Sequence, residues 1–221
     1  MTEPPRILAL DVATKMGVAD GCVGEKPVFY TKKFAGEEHE EIFADALRWI
    51  AEYLQVNKPD IVAIEAPLNL AATMGQSNPA TVVRLNGLWA VIASAVKVKG
   101  GIIYRHVNVQ TARRAFIGSG NLPGAEAKRR VFNMCKAIGW EPKDKDQGDA
   151  GCVHFWASTQ FAPNLAPVIT PMLQQRIATT IGNQEVTDIF AKKPRTAPAS
   201  KTQEHIDRHA ARALFEKGGK F

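Results

Sequence analysis

Two short apolar runs, RILALD at 6–11 and DIVAIE at 60–65, each climb through aliphatic residues and stop on an acid. Unbroken apolar runs of this length read as strands covered on both faces, which commits the chain to a sheet with a layer on either side. The acids that end them are Asp11 and Glu65. In an α/β sheet the carboxyl ends of the strands border the ligand crevice, and burying an unpaired carboxylate costs several kcal/mol. Taken singly, each acid has an ordinary explanation. Asp11 can accept backbone N–H bonds in the turn before Gly17, and Glu65 can pair with Arg84 or Arg105.

The remaining pattern supports an α/β fold. KPVFYTKKFA alternates as a more exposed strand. Apolar residues at Ile42, Phe43, Ala46, Leu47, Ile50 and Leu54 recur at helical spacing until Pro59 stops them. ATVVRLNGLWAVIASAVKVK reads as a long, mostly apolar helix, GIIYRHVN as a strand, GSGNLPG as a loop, and AEAKRRVFNMCKAIGW as a helix. Strands alternating with helices imply a central sheet. From about Ala162 prolines become frequent and periodicity weakens. The expected organisation is therefore a domain over 1–162 and an irregular basic extension over 163–221, with a linker at AKKPRTAPASK and a short amphipathic helix over 202–217.

A third acidic feature is DKDQGDAGCVHFWA, residues 144–157, which sets Asp144, Asp146 and Asp149 at the start of a helix. Either Asp146 or Asp149 would serve as an N-cap, but one cap needs one aspartate. Asp146 and Asp149, spaced i, i+3, point the same way on a helical turn. Together with Asp11 and Glu65, four acids then converge from three elements. A hard divalent cation answers such a set, since Mg²⁺ takes oxygen ligands and completes its shell with water and substrate phosphate.

Charge is uneven along the chain. The net +6 includes a block at 97–130 in which eight basic residues face the single acid Glu126, and another at 192–221 with eight basic and three acidic residues. Such blocks suit a polyanion such as nucleic acid. No apolar run nears the roughly 20 residues of a bilayer span and the opening MTEPPRILALD has no signal-peptide order, so no membrane association and a cytoplasmic location are expected. Cys22, Cys135 and Cys152 lack the spacing of a zinc site or a disulfide framework.

The chain resembles the RuvC-type Holliday junction resolvases of the RNase H-like superfamily over roughly residues 6–158. The resemblance rests on ILALDVATKMGVA and IVAIEAP for the two acidic strands and NPATVVRLNGLWAVI for the next helix. It continues through GSGNLPGAEAKRRVFNM, the glycine loop with its lysine-bearing helix, and DQGDAGCVHFWA, the closing Asp-x-x-Asp-Ala motif. It implies an RNase H-like fold, a central mixed five-stranded sheet flanked by helices. It also implies that Asp11, Glu65, Asp146 and Asp149 are catalytic and bind two Mg²⁺ ions, with Mn²⁺ as a substitute, and that Lys128 lies near the scissile phosphate. The implied reaction is Mg²⁺-dependent cleavage of branched DNA by a homodimer, leaving 5′-phosphate and 3′-hydroxyl ends.

Arg129, Arg113 and Arg114 are further candidate DNA contacts. Ala13 stands where family members commonly carry glycine. After Glu65 the stretch EAPLNLAATMGQ offers Leu68, Leu70 and Met74 where resolvases carry an aromatic, so forks and flaps are expected to be cut alongside junctions.

His154 and Trp156 read as core residues of the closing helix, and Gly118, Gly120 and Gly124 as loop glycines. The long helix is apolar around enough of its circumference, over 81–98, to form a dimer interface or to be buried within one monomer. Two other functions compete. LALDVATKMGVA and PLNL also resemble the YqgF-type nucleases that process ribosomal RNA, although those lack the paired Asp-x-x-Asp ending. A non-catalytic nucleic-acid-binding member, or a sugar-kinase-like ATP-binding fold with Asp11 facing phosphate, is the third reading.

Overall fold

Strand β1 (Arg6–Asp11) turns Ile7 and Ala9 into one core and Leu8 and Leu10 into another. Both faces are covered, which is why the run is continuous rather than alternating. The computed structural model describes residues 3–67 and 78–180 of the 221. Within these, β1 joins β2 (Lys15–Cys22), β3 (Val28–Lys33), β4 (Ile61–Glu65) and β5 (Ile103–Val107) in a five-stranded sheet of order β3-β2-β1-β4-β5. β1–β2 and β2–β3 are antiparallel, whereas β1–β4 and β4–β5 are parallel. This is the mixed sheet that the resemblance implied.

One strand was not legible as such. β2 carries Gly17, Asp20 and Gly21, all poor strand formers. Asp20 is nonetheless buried, because Arg6 on β1 grips it from both guanidinium branches, with Nε 3.0 Å from Oδ1 and Nη2 2.6 Å from Oδ2. A bidentate charge-assisted pair of this kind offsets the cost of taking a carboxylate into a sheet.

Helices α1 (His39–Val56) and α2 (Pro79–Lys99) cover one face. Ile42, Ala46, Ile50 and Leu54 of α1, with Leu88, Ile92 and Val96 of α2, meet Leu8, Leu10, Val18, Val62 and Ile64 of the sheet. The two helices approach closely at Gly87, where an added Cβ would fall 2.2 Å from the tip of the Phe43 ring. α2 is long and apolar enough by length and composition to cross a membrane, but Leu88, Ile92 and Val96 are committed to the sheet. It is not wholly buried: Val83 and Val98 are exposed, and Leu85 and Trp89 are half-buried.

The other face carries α3 (Val109–Ile117), α4 (Gly124–Ala137) and α5 (Lys145–Phe161). α3 escaped the sequence reading because it is only nine residues long, its entry marked by Asn108, whose side chain accepts from Gln110 N–H. Phe116 of α3, Val131 and Met134 of α4, and Ala150, Val153 and Phe155 of α5 enclose Ile7, Ala9, Ile61 and Ala63. The chain is helical again over 171–180, where Leu173 and Ile177 rest on this core and the Gln174 side-chain amide reaches the carbonyls of Ala115 and Phe116. Leu68, Leu70 and Met74, and the linker and helix expected beyond residue 190, lie outside the described residues.

Candidate active site

Leu10 of β1 pairs with Ile64 of β4, so Asp11 and Glu65, each one residue on, leave adjacent parallel strands side by side at the carboxyl end of the sheet. Asp146 and Asp149 arrive from α5. The placement of α5 is set by Asp144, its N-cap, which accepts from Gln147 N–H at 2.9 Å, from Thr31 Oγ1 of β3 at 3.2 Å and from Lys15 Nζ of β2 at 3.3 Å. Gln147 adds a bond from Nε2 to Thr31 Oγ1. The capping aspartate is therefore Asp144, and neither Asp146 nor Asp149 is spent on that task.

Asp11, Glu65, Asp146 and Lys128 line one cavity of about 210 Å³ together with Lys15, Leu85 and Trp89. Asp149 is buried just behind, 3% exposed, and is tied to the same group by two cations. Lys128 Nζ lies 2.9 Å from Asp146 Oδ1 and 3.2 Å from Asp149 Oδ2, while Arg113 Nη2 lies 3.4 Å from Asp149 Oδ1. Arg114 is exposed on the last turn of α3. Arg129 is half-buried on α4, turned about 100° around the helix from Lys128. Arg105 stacks over the Phe161 ring rather than pairing with Glu65.

The electrostatics are those of an acid nest with too few cations. Burial, and then the charges of Glu65 and Asp149, push the Asp11 carboxyl well above its ordinary range. Glu65 is pushed up to about 7 by burial and by Asp149, against the opposing pull of Arg113 and Lys128. Burial disfavours the Lys128 ammonium, but its hydrogen bond to Asp146 and the charges of Asp149 and Asp11 outweigh that and hold the proton more firmly than usual. Carboxylates driven upward by burial and by one another are what a divalent cation relieves.

The donor chemistry fits a hard cation, with Asp11, Glu65 and Asp146 lining the cavity and Asp149 just behind it. Asp11, Glu65, Asp146 and Asp149 are the residues able to hold it. As they stand, no three His, Cys, Asp or Glu side chains among the described residues are gathered closely enough to enclose an ion. The ammonium of Lys128 lies between two of the four acids.

Four residues of the site were not read from the sequence. Lys15 is a lone basic residue at the start of β2, whose sequence does not read as a strand. Leu85 and Trp89, taken as part of an apolar helix, also form one wall of the cavity. Gly17 admits the backbone of α5: an added Cβ would fall 2.1 Å from the Asp146 carbonyl oxygen. An interior strand glycine often marks a close backbone approach, but β2 itself is not legible as a strand, so the sequence carries no such signal here. His154, by contrast, is a core residue, 1% exposed, its Nε2 facing the Gly21 carbonyl at 3.3 Å and its ring edge-on to Trp140.

No family model matches the chain, and no curated protein matches it by sequence. Solved structures do match. RuvC from Thermus thermophilus aligns with a TM-score of 0.53 at 15% identity, over 70% of this chain and 95% of that one. The same bacterium's RuvC in complex with a Holliday junction substrate gives 0.51 at 16% identity, over 80% and 96%. The yeast mitochondrial Holliday junction resolvase gives 0.51 at 11% identity, over 75% and 85%.

The fold is that of the RuvC-type resolvases. At these identities the likeness establishes the RuvC-type, RNase H-like architecture expected from the sequence motifs. The chain spans nearly the full length of each RuvC it matches.

Proposed function

We propose that the chain is a Mg²⁺-dependent, structure-selective DNA endonuclease that cleaves branched DNA such as Holliday junctions by two-metal phosphodiester hydrolysis. The observation that carries this reading is that Asp11, Glu65 and Asp146, from two strand ends and one helix, line one cavity, with Asp149 buried behind it and joined to Asp146 through Lys128. When bound, the metal ions supply an activated water and stabilise charge on the leaving oxygen. The chain's own residues do the rest. The four carboxylates hold the ions, Asp144 and Gly17 fix where α5 presents its two acids, and Arg113 orients Asp149 from behind. Lys128, 38% exposed at the cavity, contacts the phosphate that is cut. Leu85 and Trp89 give the strand an apolar wall to lie against.

The solved RuvC complex with a junction supports branched DNA as the substrate class. A four-way junction is nearly two-fold symmetric, so a homodimer with α2 at its interface suits it. The basic segment 192–221 adds phosphate contacts, and the enzyme works in the cytoplasm.

A substrate panel tests the reading. With Mg²⁺, a synthetic four-way junction is cleaved fastest, forks and flaps more slowly, and plain duplex and structured RNA least. Preference for structured RNA would assign the chain to ribosomal RNA processing. Binding without any cleavage would assign it to the non-catalytic members.

A further inference from the structure

Lys128 does more at this site than face the DNA. Its ammonium lies 2.9 Å from Asp146 Oδ1 and 3.2 Å from Asp149 Oδ2, bridging the two acids that α5 brings to the cavity. Among the described residues Arg113 forms its ion pair with Asp149, at 3.4 Å, and its side chain is 13% exposed, so it is the fixed partner. Lys128 is the movable one, 38% exposed on the second turn of α4 at the end of a flexible stem. A compact monovalent ammonium between two carboxylates occupies the oxygens that a divalent ion needs. With Lys128 in place, no three acidic side chains among the described residues close around a common point.

We propose that the Lys128 ammonium is a resident cation that competes with the divalent metal for Asp146 and Asp149, so that metal binding requires its displacement. This rests on the metal-dependent nuclease reading above. Asp146 then passes from a lysine partner to a metal partner, while Asp149 keeps Arg113 throughout. The lysine thereby lowers the affinity of the nest for metal while keeping four mutually repelling acids together. An opposite charge at this range shifts carboxylate protonation by one to three powers of ten, and the effect on a competing metal ion is of similar size.

The test is calorimetric titration of Mn²⁺ into the full-length wild-type protein and into Lys128→Met, without DNA, with circular dichroism checking that the variant is folded. Lys128→Gln takes its place if the methionine variant does not fold. The expected result is binding at least about tenfold tighter in the variant, the lower end of that range. Equal or weaker binding in a folded variant overturns the competition and leaves the metal-dependent reading standing. Failure of both proteins to take up Mn²⁺ overturns the two together.

Discussion

The main-chain oxygen of Asp146 lies 2.1 Å from where a Cβ on Gly17 would be built, so β2 and α5 meet there backbone to backbone. Neither side is a flexible side chain that can swing away, and any residue larger than glycine must push the first turn of α5 outward. Gly17→Ala is expected to cost roughly 1–3 kcal/mol of stability and, in a protein that still folds, to reduce cleavage by displacing Asp146. Thermal unfolding and a cleavage assay read the two effects. Wild-type values for both would mean that the start of α5 does not set the site.

The acids themselves should separate chemistry from binding. Asp146→Asn and Glu65→Gln are expected to abolish cleavage while leaving DNA binding intact or tighter, because each removes a negative charge that repels phosphate. Electrophoretic mobility shifts on a labelled junction, run beside the cleavage assay, make the comparison. Turnover at the wild-type rate in either variant contradicts the assignment.

Much of this site was legible before any coordinates, and the reasons are physical. Asp11 and Glu65 were visible because two covered strands both end on an acid, at the carboxyl ends that border the ligand crevice of an α/β sheet. Asp146 and Asp149 were visible because their spacing puts them on one side of a helix. The capping role of Asp144 was not visible, since three nearby aspartates are equivalent until Thr31 and Lys15 are brought alongside. β2 was hidden because its Asp20 is tolerable only with Arg6 across the strand, a partner 14 residues away in sequence. The bridge from Lys128 to Asp146 and Asp149 depends on how α4 and α5 pack, which no local pattern records.

His154 gives the fold a defined response to acid. Burial, against the weaker pull of the Gly21 carbonyl and Asp20, lowers its pKa from 6.5 to about 4. A histidine depressed in the folded state contributes stability that is fully present above its unfolded pKa and is lost as pH falls through the folded one. Between about pH 6.5 and 4 the loss should reach about 3 kcal/mol, from 1.36 kcal/mol per unit. Urea unfolding across this range, beside His154→Gln, measures it. The variant should show a shallower decline, and an equal slope in both proteins would remove His154 as the cause.

Segment 192–221 carries eight basic and three acidic residues. Deleting it should leave cooperative unfolding unchanged but flatten the dependence of DNA affinity on salt, by about 0.9 in log–log slope for each phosphate that the segment no longer neutralises. Loss of the unfolding transition in the truncated protein would make the segment part of the fold instead.

Val83 and Val98, exposed on α2, give this helix apolar surface beyond what the sheet and the cavity use. Analytical ultracentrifugation should show a dimer for the free protein and two subunits per four-way junction. Val83→Glu should shift the free protein to monomer while leaving it folded. A wild-type protein that sediments as a monomer both free and on the junction contradicts the dimer.

If the four acids serve metal-dependent cleavage of branched DNA, the rate at which purified protein cuts a synthetic four-way junction must depend on the metal, on Asp146 and on the branch. With Mg²⁺ the junction should be cut to 5′-phosphate and 3′-hydroxyl ends, faster than a duplex of the same sequence. In EDTA, or with Asp146→Asn in Mg²⁺, no product should form. Undiminished cleavage in EDTA, or cleavage of plain duplex as fast as the junction, would contradict the account.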